Sequence, residues 1–453
     1  MYKIALIPAS INDSMGGAFS SHGSLSLVAL KTYADINLSV PADIRIFDDV
    51  ESIVRFAPHM VGISSNTPLF NVAKDIAKNI KLNTSALVVL GGYHITFLPE
   101  EIKHDCFDIG VVGEGEKTFT KLIEAAWNNT PYDEIKGLVY KKDGVIMTTP
   151  PQELLAVEEI PIPMGGRVAS IVGFEAVFSA RGCPYCCKFC SQIKFWRGKT
   201  RCFSAETVVL DIRCLHENFG AKYIVFTDDL FIYPIERLRS IVSLLEKEDL
   251  LSKIHFDGAI RANLVNDEVM NLLKRMNVRR VSFGAESGSD LILKKYKPST
   301  SVDINQRCID LCLSYGFLTT VSFIVGFPGE TKDDLLQTAA FIRRNTDKYS
   351  KGFSPAVTVC QCFPGTDAWD ELCESVKRDI ILNQQWDKMK LGFYQDSAGA
   401  ENQLYFNEDI IPRNEFLELV NKSFDKKVLY PNWSSKPIPD YVKKIASWGK
   451  FKK

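Results

Sequence analysis

Four cysteines lie close together in the middle of the chain, at Cys183, Cys186, Cys187 and Cys190. Cys183, Cys187 and Cys190 are spaced as CxxxCxxC. Three thiolates at this spacing can hold three irons of a [4Fe–4S] cube and leave the fourth iron without a protein ligand. An open metal position can bind a substrate or cofactor, so the spacing favours catalysis over structural support. We therefore predict that these three cysteines are metal ligands and catalytic residues.

Two other uses of clustered cysteines fit this segment less well. A structural zinc site usually takes two CxxC-type pairs, and no second pair follows at a fitting distance. A disulfide knot is typical of secreted chains, whereas the first eight residues have the pattern of a strand and not of a signal peptide. Cys186 could pair with Cys190 at a CxxxC spacing, but only Cys183, Cys187 and Cys190 fit the full pattern. Cys186 is therefore predicted to be a bystander.

The cysteine loop directly follows Phe174–Ala180, which has the pattern of a buried strand. Barrel enzymes carry their active sites at the carboxyl ends of such strands. Five further strand patterns alternate with helical patterns as far as residue 362, which predicts a partial, open TIM-like barrel of six strands. Phe189, which precedes the last cysteine, is predicted to cover an apolar face of a cofactor.

Polar or small residues follow the later strand patterns of this predicted barrel, where all strand ends should face one pocket. Taken alone, the two aspartates could form a magnesium pair or a helix N-cap, and Gly-Phe-Pro-Gly is by itself only a turn signal. Their positions at the ends of successive predicted strands make them candidate binding residues, and the resemblance described below implies that they bind a cofactor. The set comprises Asp228, Asp229, Arg261, Glu286, Ser287, Gly326 and Gly329.

Length and charge limit the classes of function. A chain of 453 residues is long enough for two or three domains. The formal net charge of −1 gives no electrostatic reason to expect nucleic acid or an anionic membrane as a partner. No uninterrupted apolar run is long enough to span a bilayer. Twelve cysteines in such a chain suit a reducing compartment, so a cytoplasmic location is expected.

Residues 1–150 alternate strand and helix patterns, which predicts an N-terminal Rossmann-like parallel sheet. Ligands bind such sheets at the carboxyl ends of the strands. Three predicted strand ends carry glycines that admit close backbone approach, or small polar side chains. Each alone is explained by turn or cap chemistry, but their occurrence on three strand ends favours a ligand. The candidates are Ser65, Thr67, Gly91, Gly92, His94, Gly113, Glu114 and Gly115.

These segments resemble two known families. The cysteine motif RGCPYCCKFC, together with FTDDLF, FGAESGSD and FIVGFPGET, resembles the radical S-adenosylmethionine (SAM) superfamily. GISSNT, LGGYHITFLPEE and VVGEGEKTFTKLIEA resemble the cobalamin-binding domain of its cobalamin-dependent members. The resemblance implies three cofactors, namely a [4Fe–4S] cluster, SAM and cobalamin. It also implies a 5′-deoxyadenosyl radical, formed when one electron from the cluster cleaves SAM.

The resemblance also implies roles for single residues. Arg261 and Glu286 become candidates for the methionine and ribose ends of SAM, and the Gly326–Glu330 turn would pass along the adenine. The glycine and hydroxyl residues of the N-terminal strand ends would contact the corrin or its nucleotide tail. The DxHxxG motif, whose histidine ligates cobalt in many cobalamin proteins, is absent from the first loop, where His22 stands alone. The cobalt is thus expected to lack a histidine ligand, and His94 to pack or bond near the corrin tail.

The resemblance favours methyl transfer to an unactivated carbon of a small-molecule or natural-product substrate. The alternative is a radical cyclisation, rearrangement or epimerisation without methyl transfer. A methylthiotransferase fits less well because the N-terminal region lacks a second cysteine cluster, and an electron carrier would not need the strand-end residues. The expected partners are the small-molecule substrate and an electron donor such as flavodoxin or ferredoxin.

The predicted domains divide the chain at Pro-rich and composition-shift points. The C-terminal region is rich in aromatic residues, among them Trp369, Trp386 and Tyr405, and is predicted to cap the substrate pocket; ordinary aromatic packing is the alternative. The predicted boundaries are 1–150 for the cobalamin-binding domain, 151–170 for a linker, 171–350 for the barrel core, and 351–453 for the last strand and capping region.

Overall fold

The structure is a computed structural model that describes residues 1–10, 25–163, 174–389 and 403–424. It divides into two compact units, Met1–Val168 with Cys373–Met389, and Ala169–Leu372 with Lys390–Lys453. The predicted boundaries placed all of 351–453 in one C-terminal region, whereas Cys373–Met389 lies in the first unit. The last part of the predicted linker and the loop that holds His22 lie outside the described residues.

The first unit is built on a seven-stranded sheet. Its order is β2-β1-β3-β4-β5-β6-β7, with β1 to β5 parallel and β6 and β7 antiparallel. The central strands are apolar along nearly their whole length because both faces of a parallel sheet are covered. The strands are β1 Tyr2–Pro8, β2 Ala42–Ile46, β3 Met60–Ser64, β4 Leu87–Gly91, β5 Ile109–Val111, β6 Leu138–Lys142 and β7 Val145–Thr148.

Among the residues that the structure describes, five α-helices lie between these strands. One core cluster joins Ile4, Met60 and Val89 of the sheet to Phe119 and Leu122 of the last helix. The predicted Rossmann-like parallel sheet is confirmed; the terminal hairpin β6–β7 and the short second helix had not been predicted. The helices are α1 Leu25–Asn37, α2 Val50–Phe56, α3 Phe70–Asn83, α4 Tyr93–Phe97 and α5 Glu116–Asn128.

The second unit contains a six-stranded sheet in the order β15-β14-β13-β12-β11-β8, in which every pair is parallel. A separate pair of two-residue strands, β9 and β10, borders the cysteine loop. This is the predicted open barrel of six strands. The strands are β8 Phe174–Val177, β9 Ala180–Arg181, β10 Arg201–Cys202, β11 Tyr223–Phe226, β12 His255–Ala259, β13 Val278–Glu286, β14 Leu318–Val325 and β15 Phe353–Val359.

Local capping fixes several helix limits in this unit. Ser204 accepts a hydrogen bond from the Thr207 amide at the start of α7, and Gly220 ends that helix with a φ of 66°. Within the described residues, no helix is both long and apolar enough to cross a membrane. The helices are α6 Gln192–Phe195, α7 Ala205–Phe219, α8 Ile235–Lys247, α9 Asp267–Arg275, α10 Asp290–Tyr296, α11 Val302–Ser314, α12 Lys332–Lys348 and α13 Asp367–Asp370, followed by α14 Glu374–Leu382 of the first unit and α15 Arg413–Ser423.

The last strand of the barrel begins and ends earlier than the sequence pattern predicts. The pattern indicated residues 357–362, but β15 covers Phe353–Val359. It starts at Phe353 because that residue pairs with Thr319 of β14 and the parallel register continues from there. Ser354 and Pro355 have weak strand propensity, so the sequence pattern does not indicate the first half of this strand.

Candidate functional site

The cysteine loop of the second unit runs between β9 and α6 and is fixed by backbone hydrogen bonds. Gly182 has a φ of 96°, and a Cβ there would lie 2.2 Å from the Lys199 carbonyl oxygen, so only glycine fits this turn. Within the loop the Cys190 amide donates to the Cys187 carbonyl at 3.0 Å. The Lys188 amide donates to the Tyr296 carbonyl at 2.9 Å. The protein thus holds the loop in shape through its own backbone.

The three predicted ligands are half-buried thiols. Burial raises the pKa of Cys190 to about 12, and the neighbouring Cys187 and Asp229 add to this rise. Burial also raises the pKa of Cys183. Such thiols stay protonated unless a positive group replaces the proton, which cluster iron does. In the described residues, no three His, Cys, Asp or Glu side chains converge as ligands of one ion would; a cluster that binds each cysteine through a different iron needs no such convergence.

Arg261 links the cysteine loop to the end of β12. Its Nη1 donates to Cys187 Sγ at 3.5 Å, and its guanidinium lies 3.6 Å from the centre of the Tyr185 ring. Its Nη2 donates to the Pro298 carbonyl at 3.2 Å. Its Nε is buried and has no hydrogen-bond partner in the described structure. A buried cation with an unused donor beside the cysteines fits the predicted contact with a carboxylate of SAM.

Asp228 and Asp229 follow β11 but differ in their contacts. Asp228 accepts hydrogen bonds from the amides of Ser179 and Ala180 at 2.6 and 2.8 Å, and from the Ser179 hydroxyl at 2.6 Å. It therefore ties the ends of two strands together, and both of its oxygens face protein groups. Burial raises the pKa of each aspartate to about 6, and for Asp229 the neighbouring Asp228 contributes to this rise.

Glu286 and Ser287 lie at the end of β13. Glu286 has a φ of 65°, and its Oε1 accepts from the buried Lys297 ammonium at 2.9 Å. A Cβ on Gly284 would collide with the Glu286 carboxylate, so a residue without a side chain is required beneath it. The Ser287 hydroxyl contacts that of Thr338 at 3.0 Å. Lys297 was not predicted because no local pattern distinguishes it from the other lysines of its segment.

The Gly326–Glu330 turn follows β14 and is held from two sides. Gly326 and Gly329 have φ values of 77° and 86°, and the Gly326 amide donates to the Glu330 carboxylate. The Gly329 amide donates to Asn407 Oδ1 at 2.8 Å, and Asn407 Nδ2 donates to the Glu330 carbonyl at 2.7 Å. The stacked rings of Tyr405 and Phe416, 4.4 Å apart, cover Gly326. Asn407 was missed because its partners are distant in sequence.

Phe189 lies against an apolar cluster beneath the cysteine loop. Its ring centre is 5.9 Å from that of Phe327, which stacks on Tyr296 at 4.4 Å. The cluster also contains Cys360 and Cys362, both buried. Because Phe189 is only partly buried, one side of its ring packs on protein and the rest is exposed. The predicted contact of Phe189 with a cofactor stays a prediction.

Two strand ends of the first unit meet closely. The Ser65 amide donates to the Gly91 carbonyl at 2.9 Å. Gly92 has a φ of 101°, and a Cβ there would lie 2.4 Å from the Ser65 carbonyl oxygen. A Cβ on Gly91 would meet nothing within 4 Å, so open space adjoins this backbone. An exposed glycine backbone beside an open space fits a flat ligand such as a corrin.

At the third predicted strand end, the loop after β5 is held by hydrogen bonds to other parts of the first unit. The Gly113 amide donates to the Thr96 hydroxyl at 2.9 Å, which joins this loop to α4. The buried Glu114 carboxylate accepts from the Leu155 amide at 2.8 Å and so fixes the chain after the hairpin. Gly115 immediately precedes α5, and the Phe119 amide donates to its carbonyl at 2.8 Å.

His94 is completely buried in the first unit. Its ring stacks on Phe70 at 3.9 Å, and its Nδ1 lies 3.3 Å from the Thr67 hydroxyl. Burial lowers the pKa of His94 to about 3, so the ring is neutral at physiological pH. Its Nε2 has no hydrogen-bond partner in the described residues. His94 thus packs within the protein, and its predicted position near the corrin tail stays a prediction.

Comparison with known proteins gives matches for both units. The model of the radical SAM superfamily matches residues 177–342, and that of the B12 binding domain matches residues 28–123. A protein of Pyrococcus horikoshii named as an uncharacterized methyltransferase is 34% identical over 364 residues, which cover 76% of this chain and 75% of the relative.

Two further matches have lower identity. An anaerobic magnesium-protoporphyrin IX monomethyl ester cyclase of Rubrivivax gelatinosus is 29% identical and covers 65% of this chain, which spans about half of that enzyme (55%). The solved radical SAM methyltransferase TsrM of Kitasatospora setae, with tryptophan substrate and a SAM analogue bound, has a TM-score of 0.67 at 18% identity. It covers 81% of this chain and 75% of its own.

The two matched domains account for the three cofactors, a [4Fe–4S] cluster and SAM for the radical SAM domain and cobalamin for the B12 domain. The cysteine loop at the end of β8 and β9 and the glycine backbone at the end of β4 lie within these matched regions. The chain therefore belongs to the family of radical SAM enzymes that carry a cobalamin-binding domain.

Proposed function

We propose that the protein is a cobalamin-dependent radical SAM methyltransferase that methylates an unactivated carbon of a small molecule. When bound, the cluster, SAM and cobalamin supply the radical and the methyl group. The observation that carries the proposal is one chain with a three-cysteine loop at a barrel strand end and an open glycine backbone at a Rossmann strand end. The named methyltransferase relative supports it over most of the chain.

The inner face of the barrel supports a small substrate. Register partners in a parallel sheet point to the same face, so strand pairing places small side chains in two rows. The large apolar residues Val281, Phe283 and Val321 alternate with them on the opposite, buried face. A face with small and hydroxyl side chains leaves room and hydrogen-bonding groups for a ligand. The first row is Ala259, Ser282, Thr320 and Ser354, and the second is Gly284, Ser322 and Ala356.

The chain's own residues would position SAM above this face. Arg261, with its unused Nε beside Cys187, would bind the carboxylate of SAM. The Gly326–Glu330 turn would present backbone groups to the adenine, and Asn407 would hold that turn. Glu286 is already paired with Lys297 through one oxygen, which leaves the other for the ribose. We further propose a flavodoxin or ferredoxin as electron donor, because the cluster of a radical SAM domain must receive the electron that cleaves SAM.

A second candidate is a radical cyclase or rearrangement enzyme that transfers no methyl group. The cyclase relative favours it, since that enzyme resembles this chain over 316 residues. The two candidates share the cluster, SAM and strand-end residues and differ in the fate of the SAM methyl group. Methyl transfer leaves S-adenosylhomocysteine, whereas radical generation alone leaves 5′-deoxyadenosine and methionine.

The products of SAM test the proposal. The protein is purified without oxygen, its cluster is reconstituted, and it is incubated with hydroxocobalamin, SAM and a strong reductant. We expect both 5′-deoxyadenosine and S-adenosylhomocysteine, and neither product with the Cys183→Ala variant. If 5′-deoxyadenosine forms without S-adenosylhomocysteine when a small-molecule extract is supplied as substrate, the second candidate replaces the first.

A further inference from the structure

A late segment of the chain, Cys373–Met389, belongs to the first unit although the whole barrel separates it from that unit in sequence. It consists of α14 and the 3₁₀ helix Gln385–Lys388. We name Cys373–Met389 the clasp. It packs against the carboxyl-end loops of the first sheet, which include the residues predicted to contact cobalamin. The roles predicted for those loops do not explain why the clasp packs against them.

Gln384 joins the clasp to three residues on two elements of the first unit, the helix α3 and the 3₁₀ helix Pro99–Lys103. Its backbone carbonyl accepts from Asn71 Nδ2 at 3.0 Å, and its Oε1 accepts from Lys74 Nζ at 2.7 Å. Its Nε2 donates to Glu101 Oε2 at 3.0 Å. Glu101 is fully buried. Gln384 also has a φ of 50°, which a non-glycine residue adopts only when its contacts hold it there.

Trp386 completes the burial of His94. Trp386 is fully buried, and its ring lies edge-on to that of His94 at 4.9 Å. The other face of His94 stacks on Phe70. His94 lies two residues after Gly92, and its Nδ1 contacts Thr67, which follows β3. Trp386 therefore fixes a histidine that connects the two strand-end loops beside the open space at Gly91.

We propose that the clasp is a positioning element for cobalamin. Trp386 and Gln384 hold the loops after β3 and β4 in the shape that binds the corrin, so residues near the C-terminus set the affinity of the N-terminal unit for its cofactor. Trp386 and Gln384 are positioning residues that act through His94, Lys74 and Glu101. Cobalamin itself needs to touch neither of them.

The physical basis is preorganisation. Glycine loses more conformational entropy than any other residue when a segment is ordered, and two adjacent glycines, Gly91 and Gly92, join the end of β4 to the loop after it. A loop that is ordered before the ligand arrives binds it more tightly, because the loop loses less conformational entropy when the ligand binds. The proposal rests on the cobalamin site and does not depend on whether the methyl group is later transferred.

Binding of hydroxocobalamin to the full-length, cluster-reconstituted protein tests the proposal. We expect Trp386→Ala to raise the dissociation constant about tenfold, the order of an aromatic contact in a buried site. Gln384→Gly removes the side-chain bonds, and glycine adopts the positive φ without strain, so this variant should fold and raise the constant about threefold. The dissociation constant for SAM, measured by equilibrium dialysis, should not change in either variant.

Trp127→Ala is the matched control. Trp127 lies in the same unit at the end of α5, half-exposed and edge-on to Tyr2 at the start of β1, away from the carboxyl ends of the strands. Its truncation should leave the cobalamin constant within about twofold of wild type. The proposal is overturned if Gln384→Gly binds cobalamin as wild type does. It is also overturned if Trp386→Ala weakens SAM and cobalamin equally, because that result indicates general loss of structure.

Discussion

At the scale of single residues, the site combines groups that ligands can use with groups that only hold the backbone. The sequence singles out Asp228 and Arg261 by the same criterion, their position after a strand. The structure separates them, since Asp228 is fully occupied by Ser179 and Ala180 while Arg261 keeps a free Nε beside Cys187. Position in the chain predicts that a residue lies at the site, and only its contacts show what remains free to bind.

The assignment of Cys183, Cys187 and Cys190 as cluster ligands is testable, because the same loop contains a fourth cysteine that serves as a control. Cys183→Ala, Cys187→Ala and Cys190→Ala should each abolish stable cluster assembly, since a cube held by two thiolates is poorly retained. Cys186→Ala is the matched change, because Cys186 lies in the same loop and is exposed. Iron and acid-labile sulfide per chain provide the readout. A Cys186→Ala protein without cluster, or a Cys183→Ala protein with a full one, would reverse the assignment.

Glu330 predicts a pH dependence of stability. Burial raises its pKa to about 8 from an ordinary 4.5, with a smaller rise from Asp334 and an opposing effect of the Gly326 amide. Between about 4.5 and about 8 the folded protein keeps a proton that the unfolded chain loses, so this group lowers the free energy of unfolding as pH rises through that window. Glu330→Gln remains neutral throughout.

Thermal unfolding of wild type and Glu330→Gln across this window measures the effect. The melting temperature of the variant should rise relative to that of wild type as pH increases from about 5 to about 8. Above about pH 8 the difference between the two melting temperatures should stay constant. A constant difference at every pH would mean that Glu330 does not titrate in this range. Tyr405 is one of the titratable groups whose environment includes Glu330, so Tyr405→Phe serves as the control.

At the scale of secondary-structure elements, the local sequence pattern predicts well whether a segment forms a helix or a strand. It predicts poorly which elements pack against each other. The pattern predicts Met60–Ser64 as it stands in the structure and places α7, α9 and α11 within one residue at each end. These elements are apolar or amphipathic over their whole length and have clear caps. The packing of the clasp on the rest of the first unit could not be predicted, because the whole barrel separates Gln384 and Trp386 from their partners in sequence.

The contacts of Asn407, which lies shortly before the C-terminal helix α15, predict that this residue affects SAM binding. Asn407 makes two hydrogen bonds to the Gly326–Glu330 turn, so Asn407→Ala should leave the Gly329 amide unpaired and loosen the turn. We expect the dissociation constant for SAM to rise about tenfold, as for the loss of one or two buried hydrogen bonds. Equilibrium dialysis with the reconstituted protein measures it.

Asn271→Ala provides the comparison, since Asn271 is an exposed residue on α9 of the same unit. It should bind SAM as wild type does. Cobalamin binding should be unchanged in Asn407→Ala, because that residue contacts the second unit. An unchanged SAM constant for Asn407→Ala would show that the turn holds its shape without this contact.

At the scale of the whole molecule, each unit has parallel strands whose carboxyl ends carry the residues predicted to bind ligands. The order of strand and helix patterns predicts the parallel strands of both sheets, because parallel topology follows from alternation, but it does not predict the antiparallel hairpin β6–β7. The same reasoning does not reveal that the first unit is completed by a late segment. We propose a division of labour between the units, in which one edge generates the radical and the other holds the methyl carrier.

The most direct test of that claim is the cobalamin dependence of S-adenosylhomocysteine formation. Reconstituted protein with and without hydroxocobalamin is incubated with methyl-deuterated SAM, a reductant and a small-molecule extract, and the products are measured by mass spectrometry. Our account predicts that S-adenosylhomocysteine forms only with cobalamin and that a deuterated methyl group appears in an extract component. Equal S-adenosylhomocysteine without cobalamin, or none in either sample while 5′-deoxyadenosine accumulates, would contradict it.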